Sequence, residues 1–157
     1  MISLVESAPV LYKIGANRIV RLSRDLILKS GPSVLVSDAK TLRFVAAKTQ
    51  IPVPRVHRAF QVDDKSQYFG TRGYIVIDYI DGEQLGDCWK QLSPEKQEDV
   101  VKQTVDIIAQ LQDVVLEGAG PIGGGPCRGR FFTDYSAGPF KSGEEMEAWF
   151  NHKLAIC

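Results

Sequence analysis

Three features of this 157-residue sequence follow one another in the order in which a phosphate-bearing ligand could use them. A lysine, Lys29, stands near the end of a β-rich run. An acid, Asp38, falls in the first turn of the helical segment that follows. The short step Asp78-Tyr79-Ile80 ends the most apolar strand of the chain. An ATP-binding lobe needs a cation for the α- and β-phosphates, an acid to hold that cation, and a backbone edge to pair with adenine, and this order supplies each once. Each feature also has a plainer reading. A strand-end lysine can be solvated, a first-turn aspartate complements the helix dipole, and an apolar strand ending in a turn can be core alone.

These residues need elements to position them. The runs Arg18–Ser23 and Leu26–Lys29, joined by Arg24-Asp25, have the spacing of a β-hairpin. Gly31-Pro32-Ser33 breaks the second strand. Ser37 is the expected cap of a helix that carries Asp38, Leu42, Val45, Ala46 and Thr49 at helical spacing. That helix must end by Gln50, because Ile51 precedes Pro52 and a residue before proline avoids the helical region.

Residues 55–62 and 73–79 read as strands around the polar tract Asp63–Gln67, and Gln84–Leu92 as a short helix. Ser93-Pro94 gives an N-cap with proline at the first helical position. Val100, Val101, Thr104, Val105, Ile108, Leu111 and Val115 then form a broad apolar stripe on a long helix expected to end near Gly118. From Gly118 to Gly143 glycine and proline dominate, which predicts an ordered surface connection pinned by Phe131, Phe132, Tyr135 and Phe140. Ser142 caps a last helix, Glu144–Leu154.

The runs LILKSGP, SDAKTLRFVAAKTQIPVPRV, YIVIDYIDGEQL and GGGPCRGRFF, in this order and spacing, resemble the aminoglycoside phosphotransferase-like kinases, in particular fungal members known only by that domain. The resemblance covers Arg18 to the C-terminus, and IPVPRV followed by YIVIDYIDGEQL is its most specific part. It implies an α+β fold: a kinase-like N-terminal lobe over residues 1–80, with a mostly antiparallel sheet and one helix, then a hinge and the start of a helical second lobe over residues 81–157.

By the same resemblance Lys29 contacts the nucleotide phosphates, and Asp38 stands where the family has a glutamate one methylene longer. The Asp78 carbonyl and the Ile80 amide, on either side of Tyr79, meet adenine, and Ile77 lines the back of the purine pocket. Gly15-Ala16-Asn17 sits where a phosphate-covering loop would lie, without G-x-G-x-x-G, so a plain turn is the better expectation. Gly123-Gly124-Gly125-Pro126 lacks the lysine and Ser/Thr of a Walker loop and reads as a linker.

Phosphoryl transfer in this class also needs an aspartate base in H-x-D-x-x-x-x-N and a later aspartate for magnesium. The two histidines are followed by Arg58-Ala59 and by Lys153-Leu154, and no aspartate lies beyond Asp134. The expectation is a chain that binds ATP weakly, leaves magnesium to a portion it lacks, and has no transfer activity of its own. The resemblance implies a small-molecule hydroxyl as acceptor and does not name it. A non-catalytic nucleotide-binding or regulatory module, or a structural domain without a ligand, stays open.

Composition narrows the classes further. Nineteen cationic and nineteen anionic side chains cancel, which supplies no long-range field for nucleic acid or an anionic membrane. Cys88, Cys127 and Cys157 are odd in number and far apart, so neither a disulfide framework nor a zinc site is suggested. A reducing, cytoplasmic setting is the default expectation. With the second lobe cut short, the stripe on the long helix should be left bare, an association liability.

Overall fold

The computed structural model describes residues 8–67, 69–116, 118–129, 131–132 and 136–155. Five antiparallel strands, β1 (Val10–Ile14), β2 (Asn17–Arg21), β3 (Leu26–Gly31), β4 (Val56–Asp63) and β5 (Thr71–Asp78), form one sheet in the order β1-β2-β3-β5-β4. Helix α1 (Val36–Lys48) crosses from β3 to β4. After the sheet come a single turn α2 (Leu85–Cys88) continued by a 3₁₀ turn (Trp89–Gln91), the long α3 (Pro94–Gln112) and α4 (Gly143–Ala155). The α+β class and the kinase-like sheet-plus-helix arrangement expected from the sequence are what the chain adopts.

Strand alternation explains the layering. Side chains opposite one another on antiparallel strands share a face, and the register pairs Ile27 with Ile77, Lys29 with Ile75, and Ala59 with Ile75. This face is the one α1 covers. Ile75 and Ile77 are buried there with Val34, Ala39 and Val56, and Ile27, Leu42 and Ala59 pack around them. On the other face Val20 lies opposite Leu28, and both are buried. So few residues are fully buried that each matters: truncating Ile75 to alanine costs about 2–5 kcal/mol against the 5–15 kcal/mol that holds a typical domain.

Strand β1 was not foreseen. Read from the sequence, residues 1–15 show only an interrupted apolar run, whereas Val10–Ile14 form the edge strand with Val10, Leu11, Tyr12 and Ile14 all exposed. A strand whose two faces are both apolar and both open carries no period of two to read.

Helix α1 begins two residues earlier than expected, and Ser37 is not its cap. Leu35 holds the extended N-cap conformation, and Asp38 reaches back to accept the Leu35 N–H at 3.2 Å. Half of a capping box is thereby made by the acid rather than by a hydroxyl. At the other end the Thr49 hydroxyl donates to the Val45 carbonyl at 2.8 Å and accepts the Ile51 N–H at 3.2 Å, closing the helix before Pro52.

Helix α3 starts as its sequence dictates, with Pro94 in the first turn and the Ser93 hydroxyl accepting the Lys96 N–H at 3.4 Å. It stops at Gln112, short of Gly118, where the β-branched pair Val114-Val115 gives little helical support. Its apolar stripe is bare: Val101 is 51%, Val105 58% and Ile108 48% exposed.

The connection 118–142 holds no regular element among its described residues, as expected. It is tied by the buried pair Cys127 and Ala137, which exchange backbone hydrogen bonds of 2.8 and 2.9 Å. Phe132 and Phe140 pack on Trp149 of α4, and Phe132 also on Phe150. Phe131, expected to help pin this segment, is instead exposed, and Tyr135 lies outside the described residues. Ser142 caps α4 by accepting the Glu145 N–H at 3.2 Å.

Candidate nucleotide site

Of the sequence-derived candidates, Lys29 lies on the β2–β3 half of the helix-bearing sheet face. Helix α1 packs chiefly on β4 and β5, and Ile19, Ile27 and Lys29 on the β2–β3 half of the face are half-buried. Register places Ile19, Ile27 and Lys29 on this half, with Lys29 opposite both Ile19 and Ile75. Leu26, three residues before Lys29, pairs with Asp78 at the end of β5. Three residues of strand span about 10 Å. A flat ring docked at the Asp78 end could therefore extend its substituents along β3 toward the Lys29 ammonium.

The expected pair between Lys29 and Asp38 is not made. The two salt bridges among the described residues are His57–Asp78 and Lys102–Glu98. The Asp38 carboxylate is occupied at the N-terminus of its own helix, 3.2 Å from the Leu35 nitrogen. Lys29 is half-buried on the face described above.

The step Asp78-Tyr79-Ile80 is built with more side-chain chemistry than a backbone reading anticipates. The Tyr79 N–H donates to the Asp25 carbonyl at 2.8 Å, and the Asp78 N–H donates to the Arg55 carbonyl at 3.2 Å. The Asp78 carboxylate accepts the Arg55 N–H at 2.9 Å through Oδ2 and lies 2.6 Å from His57 Nε2 through Oδ1. The hydrogen bond from His57, then that from the Arg55 amide, hold the Asp78 carboxyl below its ordinary range. The Tyr79 ring lies under the Arg21 guanidinium, 3.9 Å from its centre. Ile80 is 65% exposed, and its amide meets no acceptor among the described residues. Ile77 is buried behind the step, in the core.

At the opposite end of β3 the Gly15-Ala16 turn closes the β1–β2 hairpin, with Ile14 paired to Asn17 and Gly15 at φ 56°. Arg72 Nη2 donates to the Ala16 carbonyl at 3.1 Å, and Asn17 Oδ1 accepts the Ser33 N–H at 3.2 Å. A plain turn is what the residues make, anchored from two sides. The Gly123–Gly125 run turns at positive φ under the Lys40 side chain of α1, as a linker does.

Sequence reasoning missed Arg72, Arg21 and the His57–Asp78 pair, since each joins residues 21 or more positions apart or depends on strand register. Cys127 is buried, and burial raises its thiol pKa, in keeping with an idle thiol. Among the described residues no three His, Cys, Asp or Glu side chains could hold a metal ion, and no helix is long and apolar enough to cross a membrane.

A five-stranded antiparallel sheet, one crossing helix and a hinge leading into helices define a protein-kinase-like lobe. The chain belongs to the phosphotransferase enzyme family, whose family model matches residues 14–153. No curated protein matches the chain. No solved structure matches it.

Proposed function

We propose that this chain is the nucleotide-binding lobe of an aminoglycoside-phosphotransferase-type kinase of the fungal kind, in which ATP lies on the β2–β3 half of the sheet. The observation that carries this reading is the placement of Lys29 on the same sheet face as Ile27 and Ile77, three residues along β3 from the partner of Asp78. The arrangement fits ATP: apolar side chains for the purine, an Ile80 amide with no acceptor among the described residues for its edge, and an ammonium at the distance of the phosphates. Asp38 stays at its cap and takes no part in this conformation. ATP supplies the phosphoryl group for a small-molecule hydroxyl in the family. The aspartate base and the magnesium ligands are not among these residues, so the chain alone performs no transfer.

The test is the thermal midpoint of the purified chain with and without millimolar Mg-ATP, beside Lys29→Ala. A ligand that binds only the folded state raises stability by about 2.7 kcal/mol at a hundred times its Kd. A rise that Lys29→Ala abolishes supports the reading, and a well-folded chain whose midpoint ATP leaves unmoved refutes it. The second reading, a non-catalytic regulatory module, draws on the same binding. Stable, monodisperse behaviour of the chain at this length favours it.

A further inference from the structure

We propose that Asp78 is a positioning residue, whose clamped carboxylate fixes the backbone edge at which the purine is read. The inference rests on the nucleotide reading above. It assigns a role to a side chain that reading uses only through its backbone.

The three residues of the step are held unequally. Asp78 is held from the β4 side, where both carboxylate oxygens are engaged: Oδ2 by the Arg55 N–H at 2.9 Å, Oδ1 by His57 Nε2 at 2.6 Å. The Asp78 N–H completes the link by donating to the Arg55 carbonyl at 3.2 Å. Tyr79 is held from the other side by the Asp25 carbonyl at 2.8 Å and by Arg21 stacked on its ring. Arg21 is fixed in turn, donating to the Ser23 and Arg24 carbonyls at 3.1 and 2.9 Å. Among the described residues Ile80 has no such tie. The strand end is thus fixed across the sheet in both directions up to the residue whose amide is left over.

A base read by a carbonyl and an amide two residues apart needs both hydrogen bonds within a window of about 0.5 Å. The clamp has the geometry to hold that spacing. The Asp78 side chain is 41% exposed and His57 35%, so the pair is too wet to stabilise the fold strongly and is suited to orienting it.

The experiment is calorimetric titration of the full chain with Mg-ATP and, separately, magnesium tripolyphosphate, which carries the same phosphates and no base. Asp78→Ala, Asp78→Asn and His57→Ala are compared with wild type. Asparagine keeps an acceptor for Arg55 and a donor for His57. The expected result is that Asp78→Ala and, more mildly, His57→Ala weaken ATP by about tenfold while tripolyphosphate binding stays within about twofold, and that Asp78→Asn restores ATP binding. A merely structural role would weaken both ligands together, and that outcome overturns the proposal. Should Asp78→Ala fail to fold, His57→Ala carries the comparison. A wild type that binds ATP no better than tripolyphosphate overturns the nucleotide reading along with the clamp. A wild type with a clear base preference that both alanine variants keep overturns the clamp alone.

Discussion

Gly31 and Gly73 face each other across β3 and β5, and each leaves room that another segment fills. Asn17 lies over Gly31, and the Val34 carbonyl lies over Gly73 so closely that a β-carbon there would overlap it. Gly73→Ala is expected to destabilise the chain by about 1–3 kcal/mol, the usual cost of overpacking a filled site. Denaturant unfolding checks this. An unchanged midpoint would mean that the segment 33–34 yields freely.

Acid should act through Asp78. Its folded carboxyl titrates below the ordinary aspartate value of about 3.9, so its contribution is fully present above that value and is lost as pH falls through the lower folded value. Thermal midpoints measured from about pH 5 downward should fall for wild type and fall less steeply for Asp78→Asn. Parallel curves would remove Asp78 from the acid response.

Asp38 is expected to behave as a helix cap. Asp38→Ala removes the acceptor of the Leu35 N–H and a favourable first-turn charge, costing about 0.3–1 kcal/mol. The increment that ATP adds to the thermal midpoint should survive. If the increment falls with the variant, Asp38 leaves its cap to meet the ligand or Lys29.

The α3 stripe should govern association. Val101→Glu, Val105→Lys and Ile108→Glu together replace three exposed apolar side chains and should lower self-association in sedimentation velocity, at under about 0.5 kcal/mol each. Equal association by wild type and triple variant would place the contact elsewhere.

What could be read in the sequence was whatever local spacing encodes. The β2–β3 hairpin, the polar tract between β4 and β5, the apolar strand over 73–79, and the Ser93-Pro94 start of α3 all follow from neighbours a few positions apart. The cap of α1 was misread because Ser37 is the better capping residue by type. The cap position instead falls to Leu35, which has no side-chain acceptor and relies on Asp38. The side chain of Asp78 was passed over because its partners, Arg55 and His57, become its neighbours only once β4 has paired with β5. Lys29 and the step at Asp78–Ile80 were legible as candidates. That Asp38 caps its own helix through the Leu35 N–H was not, since this depends on where the helix starts.

The two edges of the sheet are dressed differently. β4 carries exposed Arg58 and Asp63, charges that a further strand at this edge would have to accommodate. β1 offers Val10, Leu11, Tyr12 and Ile14 with Lys13 as its one charge, and among the described residues no strand pairs with its outer side. Were this sheet to accept a further strand, β1 would take it more readily than β4. Two copies meeting through their β1 strands would close a ten-stranded sheet with charged borders at both ends, which disfavours addition beyond a pair.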